Sequence, residues 1–240
     1  MLADLPALAL EHKAQTAREL LAAELRRHGK LVYASSLGAE AMVLTDIVWS
    51  HLPEIEVFTI DTGRLFAEAY QLIERLELRY RRKIRVVSPD GQALEQLAAT
   101  QGVNAFYHGK EARLRCCQVR KLEPFRRAVA GYPAWVTGVR REQSAGRATG
   151  SAHEWDARNG LYKISPLLEW SEQEVWQYIH TRQLPYNPLH DHRFPSIGCA
   201  PCTRATQPGE SRRAGRWWWE QPESRECGLH PGRLAATAGI

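Results

Sequence analysis

Apolar positions along the chain alternate between a helical period and short strand-like runs. Over about residues 8–28, Leu10, Ala14, Ala17, Leu20, Leu21 and Leu25 recur at helical spacing, and His28-Gly29 supplies a stop. Leu31-Val32-Tyr33-Ala34 then reads as a buried strand, followed by a small-residue turn, Ser35-Ser36-Leu37-Gly38, and a helix through Met42, Val43 and Val48. The cycle repeats with a strand at Val57-Phe58-Thr59-Ile60, a polar turn at Asp61-Thr62-Gly63-Arg64, and a helix through Leu72, Ile73 and Leu76. A third strand, Ile84-Arg85-Val86-Val87, precedes a helix near residues 92–100. Strands alternating with helices predict an α/β fold with a parallel twisted sheet covered on both faces.

Further along, about residues 112–129 read as a helix containing Cys116-Cys117, and Ala134-Trp135-Val136-Thr137-Gly138 as another strand. Arg140 to Gly150 is rich in Arg, Gly and Ser and reads as a loop. Ser171-Glu172-Gln173-Glu174 has a capping-box pattern ahead of Val175, Trp176 and Ile179. After Pro185 periodicity fades. The expected organisation is an α/β domain over 1–205 and a mobile C-terminal tail over 206–240.

The chain has 240 residues, 44% hydrophobic and 25% charged, the balance of a soluble domain with a sizeable core. It has no apolar run long enough to span a bilayer and no basic-then-apolar leader pattern, so a cytoplasmic protein with no membrane partner is expected. A net charge of +5 suits an anionic ligand, either nucleic acid or a small phosphorylated or sulfated molecule.

Five cysteines without a leader argue against a disulfide framework, and the odd count leaves one thiol outside any four-ligand site. Cys116-Cys117 is followed about 80 residues later by Cys199-Ala200-Pro201-Cys202. Adjacent cysteines do not readily chelate one ion, whereas neighbouring irons of a cluster can each take one. From spacing alone a four-iron cluster, a zinc site and unmetallated thiols all stand. The fifth, Cys227, lies in Glu226-Cys227-Gly228-Leu229-His230, where Arg225 and His230 would favour a thiolate; a stray surface cysteine is the alternative.

Two turns invite an anion. Ser35-Ser36-Leu37-Gly38-Ala39-Glu40 follows the first strand and opens a helix, and Asp61-Thr62-Gly63-Arg64 occupies the equivalent place after the second, so both are expected to line one crevice. Arg212-Arg213-Ala214-Gly215-Arg216-Trp217-Trp218-Trp219-Glu220 suits an arginine clamp for phosphate or sulfate, single-stranded nucleic acid, or a tryptophan plug under a basic surface.

Taken together the motifs resemble the assimilatory adenylyl-sulfate reductases, the iron–sulfur branch of the phosphoadenylyl-sulfate reductase family. The resemblance runs from about residue 30 to His230 and is carried by Cys116-Cys117 with Lys121, Cys199-x-x-Cys202, Arg213-x-x-Arg216-Trp217-Trp218-Trp219-Glu220 and Glu226-Cys227-Gly228-Leu229-His230. It implies an adenine-nucleotide α-hydrolase-like fold and a [4Fe-4S] cluster on Cys116, Cys117, Cys199 and Cys202. It further implies substrate contacts from Ser35, Ser36, Gly38, Glu40, Asp61, Thr62, Gly63, Arg64, Lys121, Arg140 or Arg141, Arg213, Arg216 and His230. Cys227 is then the catalytic nucleophile, forming an S-sulfocysteine that reduced thioredoxin discharges as sulfite. One departure is Ala41, where such sequences often carry an acid.

The alternatives are a reductase of the 3′-phosphorylated nucleotide and a tRNA-thiolating enzyme of similar fold. The absent Ser-Gly-Gly-x-Asp-Ser loop counts against the second, so no nucleic-acid partner is expected. A homo-oligomer is left open.

Overall fold

The computed structural model describes residues 5–143, 147 and 149–221. Helix α1 (Leu5–His28) leads into strand β1 (Val32–Ala34), helix α2 (Ala39–His51), strand β2 (Glu56–Ile60), helix α3 (Ala67–Tyr80) and strand β3 (Arg85–Val87). Helix α4 (Gly91–Gln101), helix α5 (Lys110–Cys117), a π-helical turn (Gln118–Leu122) and helix α6 (Glu123–Val129) follow. Strands β4 (Ala134–Val136), β5 (His153–Asp156) and β6 (Leu161–Ile164) and helix α7 (Glu172–Thr181) come next, with short 3-10 turns between elements.

The six strands run in the order β3-β2-β1-β4-β6-β5. β1 pairs in parallel with β2 and β4, and β4 in parallel with β6. The sheet is mostly parallel, as expected, and β5 adds an antiparallel edge by pairing with β6. A tight turn joins them: the amides of Asn159 and Gly160 both donate to the Asp156 carbonyl, and Gly160 sits at φ 70°. A glycine tolerates that left-handed conformation without a Cβ penalty.

The chain divides into two compact units built from interleaved segments. Among the described residues, the first draws on the stretches within 5–59, 72–85 and 129–186, and the second on 60–71, 86–128 and 187–221. In the first unit β1 and β4 bury Val32, Tyr33, Trp135 and Val136 almost completely. Helix α2 is buried nearly all round, from Ala41 to Trp49, as expected for a helix apolar on every face. At its middle Asp46 accepts from Tyr80 Oη (2.7 Å), Tyr178 Oη (2.8 Å) and Arg182 Nε (2.7 Å). A buried charge so fully partnered ties α2 to α3 and α7.

The second unit has its own core in Phe106, Cys202 and Trp217, with Cys116, Cys199 and Trp219 packed against it. The helix expected over 112–129 is interrupted by the π-helical turn. Pro124 supplies the physical reason, since it lacks an N–H and its ring collides with the carbonyl four residues back in a regular α-helix.

Residues 206–221, which fall in the expected mobile tail, are bound into the second unit. The Arg204 amide donates to the Gly215 carbonyl (2.9 Å), the Trp217 amide donates to the Cys202 carbonyl (3.2 Å), and Trp217 is 2% exposed. Cys227 and His230 lie outside the described residues.

Candidate functional site

In the first unit, the β1–α2 turn is held from below. The Ser35 amide donates to the Phe58 carbonyl at 2.8 Å, and the Thr59 hydroxyl donates to the Ser35 carbonyl at 3.0 Å. Leu37 occupies the left-handed region at φ 58° with its side chain buried. A leucine held there costs about 1–3 kcal/mol, and such conformations gather at functional turns. Ser36 is exposed, and Gly38 opens α2 as an extended N-cap with no side-chain cap. The positive end of a 13-residue helix is thereby presented beside two hydroxyls, a suitable cradle for an anion.

Glu40 does not act as a simple helix cap. Its Oε1 accepts from Arg140 Nε (2.9 Å) and from Gln143 Nε2 (3.0 Å). Burial pushes the Glu40 carboxyl up, but the Arg140 charge and these hydrogen bonds outweigh it and hold the group below its ordinary value. Arg140, 2% exposed, also donates to Glu142 Oε2 and to the Trp170 carbonyl. Arg141 instead pairs with Glu169 at the surface. The pair Arg140–Glu40 is close-packed from behind as well: a Cβ on Gly138 would lie 3.0 Å from Glu40 Cβ.

The second unit gathers Cys116, Cys117, Cys199 and Cys202. Cys116 and Cys117 close α5, and successive helical side chains project about 100° apart, so they cannot bite a single ion together. Cys199 caps and Cys202 closes a 3-10 turn, Ala200–Cys202, with Pro201 near its start. The Asp61–Arg64 turn is packed on this loop. Thr62 Oγ1 lies 3.2 Å from Cys199 Sγ, and the Ala200 amide donates to the Arg64 carbonyl at 2.8 Å. Within the turn, Asp61 Oδ1 accepts from the Gly63 amide (2.8 Å) and from Tyr70 Oη (2.9 Å), fixing Gly63 at φ 69°. Arg64 lies over the Phe106 ring at 5.1 Å.

Three arginines shape the cysteine site; the sequence pointed to Arg216 only as a substrate contact and did not single out Arg113 or Arg120. Arg120, in the π-helical turn beside Lys121, donates to the Thr62 carbonyl at 2.8 Å and lowers the cost of a Cys116 thiolate. Arg216 is buried, stacks on Trp217 at 4.6 Å and donates to Ser196 Oγ and the Ile197 carbonyl. Arg113, 1% exposed, makes a two-pronged pair with Glu220 and stacks on Trp217 at 4.7 Å. Arg213 lies 6.0 Å from the centre of the same ring. The arginine–tryptophan segment is thus a wall of the cysteine site. The readable signal was a lone glutamate closing a run of three tryptophans.

The donor set fits an iron–sulfur group. Burial first, then the neighbouring Cys199, Cys117 and Cys116 sulfurs, push the Cys202 thiol up to about 12, with Arg216 opposing. Burial likewise raises Cys116, against Arg120 and Arg64. Four sulfurs close enough to feel one another, walled by aromatics and faced by guanidinium groups, are costly as bare thiolates and satisfied as ligands of a cationic centre.

Residues 30–205 match the family described as the phosphoadenosine phosphosulfate reductase domain. The chain is 54% identical over 212 residues to the adenosine 5′-phosphosulfate reductase of Allochromatium vinosum, covering 88% of this chain and 83% of that one. It is 47% identical over 221 residues to the enzyme of that name from Burkholderia cepacia, covering 92% and 88%. Among solved structures it is similar to the phosphoadenylyl-sulfate reductase of Candida auris in its phosphate complex, with TM-score 0.68 and 25% identity over 81% of this chain and 96% of that one. Candida glabrata FMN adenylyltransferase shares the fold, with TM-score 0.59 and 16% identity over 97% of this chain and 82% of that one.

Proposed function

The chain belongs to the phosphoadenosine phosphosulfate reductase family, and on that premise we propose that it reduces adenosine 5′-phosphosulfate to sulfite and AMP in sulfate assimilation, with reduced thioredoxin as electron donor. The observation that carries the reading is the gathering of four cysteines behind Thr62, Arg120 and Arg216, which leaves Cys227 as the remaining thiol of the chain.

In this reading Cys227, as thiolate, attacks the sulfur of the phosphosulfate. A sulfur–sulfur bond forms, the bond from sulfur to the phosphate oxygen breaks, and AMP leaves with that electron pair. A thioredoxin thiolate then attacks Cys227 Sγ, and sulfite departs with the electrons of the broken sulfur–sulfur bond. The second thioredoxin thiol resolves the mixed disulfide and restores the Cys227 thiol. The order requires Cys227 to meet a small nucleotide and then a protein in turn.

The chain's own groups divide the remaining work. Ser35, Ser36 and Gly38, with the N-terminal end of α2, are assigned to the anionic part of the nucleotide. Lys121, Arg141 and Arg213 are assigned to charge developing on the departing phosphate and transferring sulfo group, and His230 to the thiolate. Arg140 is committed to Glu40 and acts by positioning the loop after β4. Cys116, Cys117, Cys199 and Cys202 would hold a [4Fe-4S] cluster, which supplies a fixed local charge and a rigid brace when bound.

The test is the intact mass of reduced protein after anaerobic incubation with adenosine 5′-phosphosulfate in the absence of thioredoxin. One added sulfo group, released as sulfite when thioredoxin is supplied, supports the reading. A gain only with the 3′-phosphorylated nucleotide would move the substrate, and a gain with neither would sink the covalent scheme.

A further inference from the structure

The last turn of α1 and the first residue of β5, both in the first unit, bring together a second cluster of ligating groups with no part in the chemistry above. Glu24 and His28 are four residues apart and share one face of α1. His153 reaches them from β5. Donor atoms of the three lie within 4.8 Å of one another.

The geometry is not that of a closed hydrogen-bond network. His28 Nε2 and Glu24 Oε2 approach to 3.1 Å, both side chains being 9% exposed, yet neither atom has a hydrogen-bond partner. The other carboxylate oxygen, Oε1, lies 3.0 Å from His153 Nδ1. Donors around a four-coordinate zinc ion with bonds of about 2.0–2.1 Å sit about 3.3 Å apart, so three donor atoms within 4.8 Å of one another need only a small closure to hold it, one imidazole now facing each carboxylate oxygen. Two imidazoles and one carboxylate form the donor set that suits zinc, with a further position left to solvent on the more exposed His153 side. Tyr162 backs the site, its ring 4.6 Å from His153 and 5.1 Å from His28.

We propose that Glu24, His28 and His153 form a zinc site that clamps the antiparallel edge hairpin β5–β6 to helix α1. Arg27 is the neighbouring cation, 3.4 Å from His153 Nδ1 and over the Tyr162 ring at 6.0 Å, and it opposes the ion. Zinc therefore binds more tightly once Arg27 is neutralised.

The experiment uses the full chain with its iron content intact, so that Cys116, Cys117, Cys199 and Cys202 do not compete for the added metal. Zinc alone is titrated by calorimetry, and zinc-edge X-ray absorption is recorded on the loaded protein. The expected result is one zinc per chain with nitrogen and oxygen neighbours only. Affinity should fall by roughly tenfold or more in Glu24→Gln and His153→Gln, each close in size to the residue it replaces, and rise in Arg27→Gln. Zinc should raise the melting temperature of the unaltered protein and not that of the two ligand variants. Sulfur neighbours at the zinc edge, undiminished affinity in both ligand variants, or no stoichiometric uptake would each overturn the proposal.

Discussion

Arg113 and Glu220 meet fork to fork, Nε to Oε1 at 2.8 Å and Nη2 to Oε2 at 2.7 Å, and neither side chain is more than 4% exposed. They stand 107 residues apart in sequence, one in the helix that ends in the paired cysteines and the other just after the tryptophan run. Glu220 raises the Arg113 pKa against the opposing effect of burial, and the guanidinium stacks on Trp217. Removing one partner leaves an uncompensated buried charge at a cost of about 3–5 kcal/mol. Glu220→Ala should therefore lower unfolding free energy by that order and reduce iron retained per chain. Replacing both residues with apolar ones of similar volume should recover much of the stability, as urea titration of the four-member mutant cycle would reveal.

Gly198 is required by close approach, since an added Cβ would fall inside the Arg216 guanidinium. Gly198→Ala should displace Arg216 from Ser196 and Ile197 and weaken iron retention, followed as loss of visible absorbance under a chelator. Gly91→Ala is the control, because nothing lies within 4 Å of a Cβ there. Equal chelator sensitivity in both variants would contradict the packing argument.

Thr62 places a hydroxyl 3.2 Å from Cys199 Sγ while its carbonyl accepts from Arg120. Thr62→Val keeps the shape and deletes the hydroxyl. The expected outcome is intact folding by circular dichroism with a lower midpoint potential of the bound centre, since fewer hydrogen bonds to sulfur disfavour the reduced form. An unchanged potential would confine Thr62 to packing.

Cys227→Ser should abolish sulfite formation while leaving the visible absorbance of the iron centre in place. Loss of that absorbance would make Cys227 a ligand and overturn the proposed roles of all five cysteines.

Acid should loosen the Arg140–Glu40 pair before it affects an isosteric variant. Glu40 is held below its ordinary value of 4.5, so its contribution to stability is fully present above that value. It is lost as pH falls through the lower, folded-state value. The difference in unfolding free energy between the unaltered protein and Glu40→Gln should therefore be flat near neutral pH and shrink below about pH 4.5. A difference that grows on acidification would refute the assignment.

The alternating elements from α1 to α4 were readable because each carries its own period and its own turn: Leu31–Ala34 and Val57–Ile60 are apolar runs ended by Ser35-Ser36 and Asp61-Thr62. The edge hairpin was passed over because His153-Glu154-Trp155-Asp156 is polar and half exposed. The Asn159-Gly160 pair was its one strong local signal. Pro124 is the local signal for the π-helical turn. The four clustered cysteines followed from spacing and resemblance. Arg216 was legible only as a substrate contact, and Arg113 was not singled out at all, because an ion pair spanning 107 residues leaves no local trace. The shared place of Glu24, His28 and His153 was hidden for the same reason, since His153 sits 129 residues from Glu24.

The interleaving of the two units also sets an order of events at the ribosome. The second unit is stitched from three stretches of chain, and its two cysteine pairs arrive at different times. About 80 residues separate Cys117 from Cys199, so at roughly 5–20 residues per second the first pair emerges on the order of 4–16 s before the second. During that interval Cys116 and Cys117 have neither Thr62-braced Cys199 nor the Trp217 wall to shield them. Assembly of the proposed cluster would therefore wait for the final quarter of the chain, and a nascent protein stalled before Cys199 would carry two thiols without that shelter.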